Sequence, residues 1–189
     1  MGYTVLLLGL SVWFGAHLWK RVAPDSRARL GDPGKGLVAL LLLVSIALMV
    51  WGYRSAVPLD LWYPPEWLKH VNNLLTLIAL WLFVGSNAGG HIAKRMRHPQ
   101  LIGVKVWAIA HLLVNGSLAA LFLFGGLLAW AVVEVILINR QSEWAPSEPG
   151  SVWRDLGALV IAVVLWLAIA YAHTWFGLWP FGGDAPIPT

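Results

Sequence analysis

From Arg97 to Arg140 the chain reads RHPQLIGVKVWAIAHLLVNGSLAALFLFGGLLAWAVVEVILINR. This is apolar sequence enough for two helices, yet His111, Asn115 and Glu134 lie inside it. An ionisable or amide side chain at bilayer depth costs free energy, so one kept there usually faces the bundle interior or a cofactor. The chain carries six histidines and no cysteine. A tightly held metal or haem would therefore be gripped by nitrogen or oxygen rather than thiolate.

The rest of the composition agrees with a membrane solvent. Only 12% of the 189 residues are charged and 59% are hydrophobic, whereas soluble domains carry about 25% charged residues. A spanning helix needs about 20 mostly apolar residues. The pattern predicts an all-α, polytopic membrane helix bundle of about six transmembrane helices: Tyr3–Trp19, Gly36–Tyr53, Leu68–Gly90, Pro99–Asn115, Ser117–Ile138 and Trp153–His173. The first run has no basic residues before it and is read as a permanent span, not a cleaved leader. Breakers fall in the gaps, at Pro24, Gly31, Gly34, Pro58, Pro64, Pro65, Pro146 and Pro149. Pro99 suits a first helical position, and Gly116-Ser117 reads as a helix stop followed by an N-cap. One transmembrane domain is expected over 1–183, with a short tail over 184–189.

Charge sets the orientation. Lys20, Arg21, Arg27, Arg29 and Lys35 lie between the first and second spans, Lys94, Arg95 and Arg97 between the third and fourth, and Arg140 and Arg154 flank the last loop. The positive-inside rule puts these loops in the cytoplasm and both termini on the opposite side. Trp51, Trp62, Tyr63, Trp67, Trp175 and Trp179 then form an aromatic belt on that far side. The net charge of +4 is spent in short loops, so the expected partner is the lipid bilayer and not nucleic acid. Self-association into a homo-oligomer is left open. Absent cysteine excludes disulfides, zinc-thiolate sites and cysteine nucleophiles. No P-loop, HExxH or nucleophile elbow is present.

His111 is the leading site candidate, with Trp107 and Asn115 four residues to either side on one helix face. Its plainer alternative is a histidine bonded to a neighbouring helix. His17 ends the first span four residues after Trp13, beside Gly15, which leaves room for a close approach; an interfacial histidine favoured by the helix dipole is the alternative. Arg97 and His98 crown the helix that Pro99 begins, where free N–H groups attract a propionate or phosphate. His91 lies at the same surface, whereas His70 and His173 read as interfacial on the other. Glu134 is expected to snorkel, to pair with Lys105 or Arg140, or to accept a proton. Gly85 with Gly89, and Gly125 with Ala129, read as small-residue packing faces, and Asn72, Asn73 and Asn87 as interhelical hydrogen-bonding groups.

At these residues the chain resembles the NnrU family, to which the 15-cis-zeta-carotene isomerase of plants and cyanobacteria is related. The likeness rests on the 97–140 block, on GLSVWFGAHLW in the first span and on WRDLGALVIAVV near the end, and covers nearly the whole chain. It implies a compact integral membrane protein, and in the isomerase relative haem b is carried on histidines. Carried over, the iron ligands would be His111 in AHLLVNG and His17 in FGAHL, with His91 or Glu134 as the alternative second ligand. Trp107, Asn115, Arg97 and His98 would then line the cofactor.

Four functions follow as expectations. The first is an NnrU-type haem b protein of the bacterial inner membrane, linked to nitrite and nitric oxide reduction. The second is a haem-dependent cis-trans isomerase acting on an apolar polyene substrate. The third is a membrane methyltransferase using S-adenosylmethionine, because RHPQLIG also resembles the RHP motif of isoprenylcysteine methyltransferases. The fourth is a non-catalytic assembly or haem-handling protein.

Overall fold

In the computed structural model, residues 1–181 are described; the expected tail over 184–189 lies outside the described residues. The helices are α1 (Gly2–Val22), α2 (Pro24–Ala28), α3 (Pro33–Ser55), α4 (Leu68–Ala88), α5 (His91–Arg95), α6 (Pro99–Val114), α7 (Leu118–Gln141) and α8 (Val152–Trp175). Five of them, α1, α3, α4, α7 and α8, are long and apolar enough to cross a membrane. The sixth expected span, α6, is a shorter apolar helix of 16 residues; at 1.5 Å per residue it covers about 24 Å, less than the ~30 Å hydrocarbon core. The chain is a multi-pass, all-helical membrane protein. The short helices α2 and α5 lie in the loops after the first and third expected spans.

The chain forms two compact units, each discontinuous in sequence: Met1–Trp62 with Gly116–Gln141, and Tyr63–Asn115 with Ser142–Thr189. In the first unit, α1 and α3 run antiparallel and touch almost backbone to backbone. The space a Cβ would need at Gly52 is taken by the backbone of Leu6, at Gly2 by Ser55 and Ala56, and at Gly9 by Met49 and the Ser45 carbonyl. Leu6 and Ser45 in this seam are fully buried. Lipid tails are as apolar as leucine, so close approach through small residues, and not hydrophobic burial, is what joins such helices. Helix α7 runs in the same direction as α1, with Leu10 lying over Gly126 and with Leu127, Trp130, Ala131 and Glu134 buried.

The start of α7 is built as expected. Ser117 Oγ accepts from the Ala120 N–H at 3.2 Å, an N-cap bond to the third helical residue. The Gly116 carbonyl accepts from the N–H groups of Leu61 and Trp62, and the Leu118 N–H donates to Leu59 at 2.8 Å. The connector before α4 is thereby pinned to this helix start.

In the second unit, α6 and α8 both pack on α4. Gly103 of α6 meets the Ala79 carbonyl of α4. Trp166 Nε1 of α8 donates to Thr76 Oγ1 at 2.9 Å, and Trp81 Nε1 of α4 donates to the Asp155 carbonyl at 2.8 Å. Pro99 occupies the first turn of α6 as its spacing indicates.

The small-residue faces are not those expected. Gly89 is the left-handed C-cap of α4, with φ of 70°, and Gly85 receives the side chain of Ile92 from α5. Gly125 has only its own helix's Leu121 nearby, while the neighbouring Gly126 meets α1. The asparagines differ too: Asn72 bonds Asn73 and Asn87 bonds Ser86, and only Asn73 reaches out, to the Pro180 carbonyl at 3.0 Å.

A valine at Gly52 would have to displace backbone, so Gly52→Val is expected to destabilise the protein by about 2–3 kcal/mol. Gly36→Val, in the same helix with nothing within 4 Å, is the control. Thermal unfolding of both in detergent, followed by circular dichroism, should show a lowered midpoint for the first alone.

Candidate functional site

Both candidate ligands sit in the same local sequence motif, Trp-x-x-x-His, one in each unit. In Trp13-Phe-Gly-Ala-His17 the imidazole Nδ1 lies 3.1 Å from the Trp13 carbonyl. In Trp107-Ala-Ile-Ala-His111 it lies 2.9 Å from the Trp107 carbonyl. A carbonyl oxygen only accepts, so Nδ1 carries the proton in each ring, and Nε2 is left as the lone-pair nitrogen of a neutral imidazole. The tryptophan one turn earlier touches the imidazole in both, with ring centroids 4.2 Å apart at 42° in the first unit and 4.8 Å apart at 49° in the second. The helix itself produces this unit: residues four apart share a face, and their side chains lean toward the preceding turn.

His17 belongs to the first unit and faces α7. Trp130 lies 4.4 Å from its ring, and Glu134 is within electrostatic reach. Glu134 is buried, and its partner is Arg21, with Nε 3.1 Å from Oε1, not Lys105 or Arg140. The cause is the parallel pairing of α1 with α7, which brings the last turn of α1 level with residue 134. The other carboxylate oxygen, Oε2, is buried without a hydrogen bond, as are Trp13 Nε1 and Trp130 Nε1. Gly15 points away from this seam; it lines a shallow apolar cavity of about 330 Å³ with Phe14, Leu18, Trp19, Val22 and Ala23, and His17 is not in that lining.

His111 belongs to the second unit, three residues from the end of α6. Asn115 caps this turn by donating from Nδ2 to the His111 carbonyl at 2.8 Å. His173, which was read as merely interfacial, is within electrostatic reach of His111. Its Nδ1 donates to the Ile169 carbonyl at 2.7 Å.

The remaining candidates gather at the other end of the second unit. His98 is the N-cap residue of α6, and its carbonyl accepts from the Ile102 N–H. The Arg97 guanidinium donates to the Ser142 carbonyl at 2.5 Å. His91 opens α5 and meets Asp155, which the sequence reading passed over. The buried Asp155 carboxylate accepts from the backbone N–H of His91 at 2.6 Å and of Ile92 at 3.3 Å, with His91 Nδ1 at 3.4 Å. Asp155 thus caps a helix from another element, and its oxygen fills the space a Cβ would need at Gly90. The signal was present as the one acid within the first turns of α8, but its partner lies 64 residues earlier in the chain. Trp130 was also missed, since nothing in the local sequence of α7 marks which face meets α1.

Among the described residues no group of three or more His, Cys, Asp or Glu side chains is placed to hold a metal ion. Haem makes a smaller demand: the porphyrin supplies the equatorial ligands, and the protein needs one or two axial donors. Neutral imidazoles whose Nδ1–H is held by a backbone carbonyl suit that task, because the second hydrogen bond fixes the tautomer and raises the basicity of Nε2. Each imidazole taken by itself is a donor of the kind that haem uses. A family model described as NnrU protein matches residues 5–180. No curated protein sequence and no solved structure matches the chain.

The Arg21–Glu134 pair gives a test of the seam. Arg21→Met keeps the side-chain stem but strands the Glu134 carboxylate, and should cost about 2–3 kcal/mol. Adding Glu134→Gln should recover most of the loss in the same melting experiment.

Proposed function

Because the chain belongs to the NnrU family, we propose that it is a haem b protein of the bacterial inner membrane, acting in nitrite and nitric oxide metabolism. His111 and His17 are the candidate ligands in this reading, each within its own unit. The observation that carries it is the repeated Trp-x-x-x-His unit, in which both imidazoles are held as the same tautomer by the same kind of bond. A histidine whose task is to join helices would use its ring nitrogens across a helix–helix seam. Here each places Nδ1–H on a carbonyl of its own helix, the bond that fixes the tautomer of an imidazole ligand.

The chain's own residues divide the work. Trp13 and Trp107 flank the imidazoles and restrict their rotation. Asn115 secures the turn that carries His111. Arg97 and His98 begin α6, about 20 Å from His111 at 1.5 Å per residue, and are set apart from a haem held there. The apolar spans shield the half-buried imidazoles from water, and the basic loops orient the spans with both termini on the non-cytoplasmic side. When bound, haem b would supply a redox-active iron able to take a small diatomic ligand.

The test is the absorption spectrum of the purified full-length protein before and after dithionite. A Soret band that shifts on reduction is expected, with haem content falling more than about tenfold in His111→Ala. Nitric oxide should perturb the reduced spectrum. A colourless protein that takes up no added haem overturns the reading. Conversion of a cis-polyene by the reduced protein would assign it to the isomerase activity instead.

A further inference from the structure

The ring of His17 is held by more than its own helix. The centroids of His17, Trp13 and Trp130 form a triangle with sides of 4.2, 4.4 and 5.2 Å. The two indoles are nearly perpendicular, at 82°, so the imidazole sits in a corner made by two flat walls. The Trp13 carbonyl tethers Nδ1 at 3.1 Å. Two walls at right angles and one tether leave an imidazole a single orientation. Nε2, on the ring edge away from the tether, makes no hydrogen bond among the described residues.

The walls differ in origin. Trp13 is carried by α1 and moves with His17, whereas Trp130 comes from α7 and is only 5% exposed. Its indole N–H is buried without a partner, and so is that of Trp13. Buried tryptophans usually find an acceptor for that group. Two tryptophans in one seam that both forgo it are placed by the shape of their ring systems, not by hydrogen bonding. Leu127 and Ala131 around Trp130 are also buried, so the indole has little room to retreat.

We infer that Trp130 is a positioning residue that braces the His17 imidazole from the neighbouring helix, so that Nε2 is presented as its coordinating nitrogen. The inference deepens the haem reading and rests on it for the identity of what Nε2 binds. The brace itself is a property of the apoprotein. A flat ring at position 130 is what it requires: Trp130→Phe keeps a wall, and Trp130→Leu keeps apolar bulk without one.

Two measurements separate the brace from the haem reading. In apoprotein with ¹⁵N-labelled histidine, the His17 resonances, assigned by their loss in His17→Gln, should report one Nδ1–H tautomer in the parent and in Trp130→Phe. Trp130→Leu should show averaging between tautomers, with helix content unchanged by circular dichroism. In haem-loaded protein, the haem content per chain should be the same in the parent and in Trp130→Phe. Trp130→Leu should lose haem several-fold, as His17→Gln does. A single tautomer and an unchanged haem content in Trp130→Leu would overturn the brace. Tautomer averaging in Trp130→Leu of a protein that takes no haem would uphold the brace and sink the haem reading alone.

Discussion

A bilayer core offers no hydrogen bonds, so every polar group carried into it must find its partner within the protein. In this chain most side chains meet that condition with their own helix. Ser11, Ser45, Ser55, Thr76, Ser86 and Thr174 each donate to a carbonyl three or four residues earlier. His17, His111 and His173 do the same through Nδ1. The habit has a chemical by-product. A hydroxyl disposed of in this way is silent, but an imidazole so disposed of is left with a defined tautomer and a lone pair on its far side.

Bonds that do cross between helices are few, and they mark where each unit is locked. Arg21 with Glu134 joins α1 to α7. Trp166 with Thr76, and Trp81 with the Asp155 carbonyl, join α8 to α4. Asp155 adds a second hold by capping α5. The glycine seam between α1 and α3 rests on backbone proximity. Small residues and a handful of polar ties are the two means a membrane protein has when apolar burial contributes little to helix association.

What was legible in the sequence follows from range. Helix positions could be read because length, proline and serine act locally: Pro99 opens α6 and Ser117 caps α7 as their spacing indicates. The Trp-x-x-x-His pattern was visible for the same reason, since its defining bond spans a single turn. Partners across helices were not legible. Glu134 was expected near Lys105 or Arg140 and found Arg21, 113 residues away, because which helices are neighbours is decided by packing of whole faces. Gly125 and Gly126 show the limit at its finest: both are small, they are adjacent, and only the second faces α1. Successive residues on a helix point about 100° apart, so an error of one position turns the reading away from the seam.

The order of the segments constrains how the chain is assembled. The first unit closes only when α7 joins α1 and α3, and residues 63–115, which belong to the second unit, are synthesised in between. The second unit in turn waits for α8. During biogenesis, α1 and α3 therefore pair before either unit is whole, and the glycine contact surface between them is the first long-range structure the nascent chain can own. The buried carboxylate of Glu134 arrives later, on a helix whose cationic partner is already in place. Insertion thus proceeds with the counter-charge waiting for the acid.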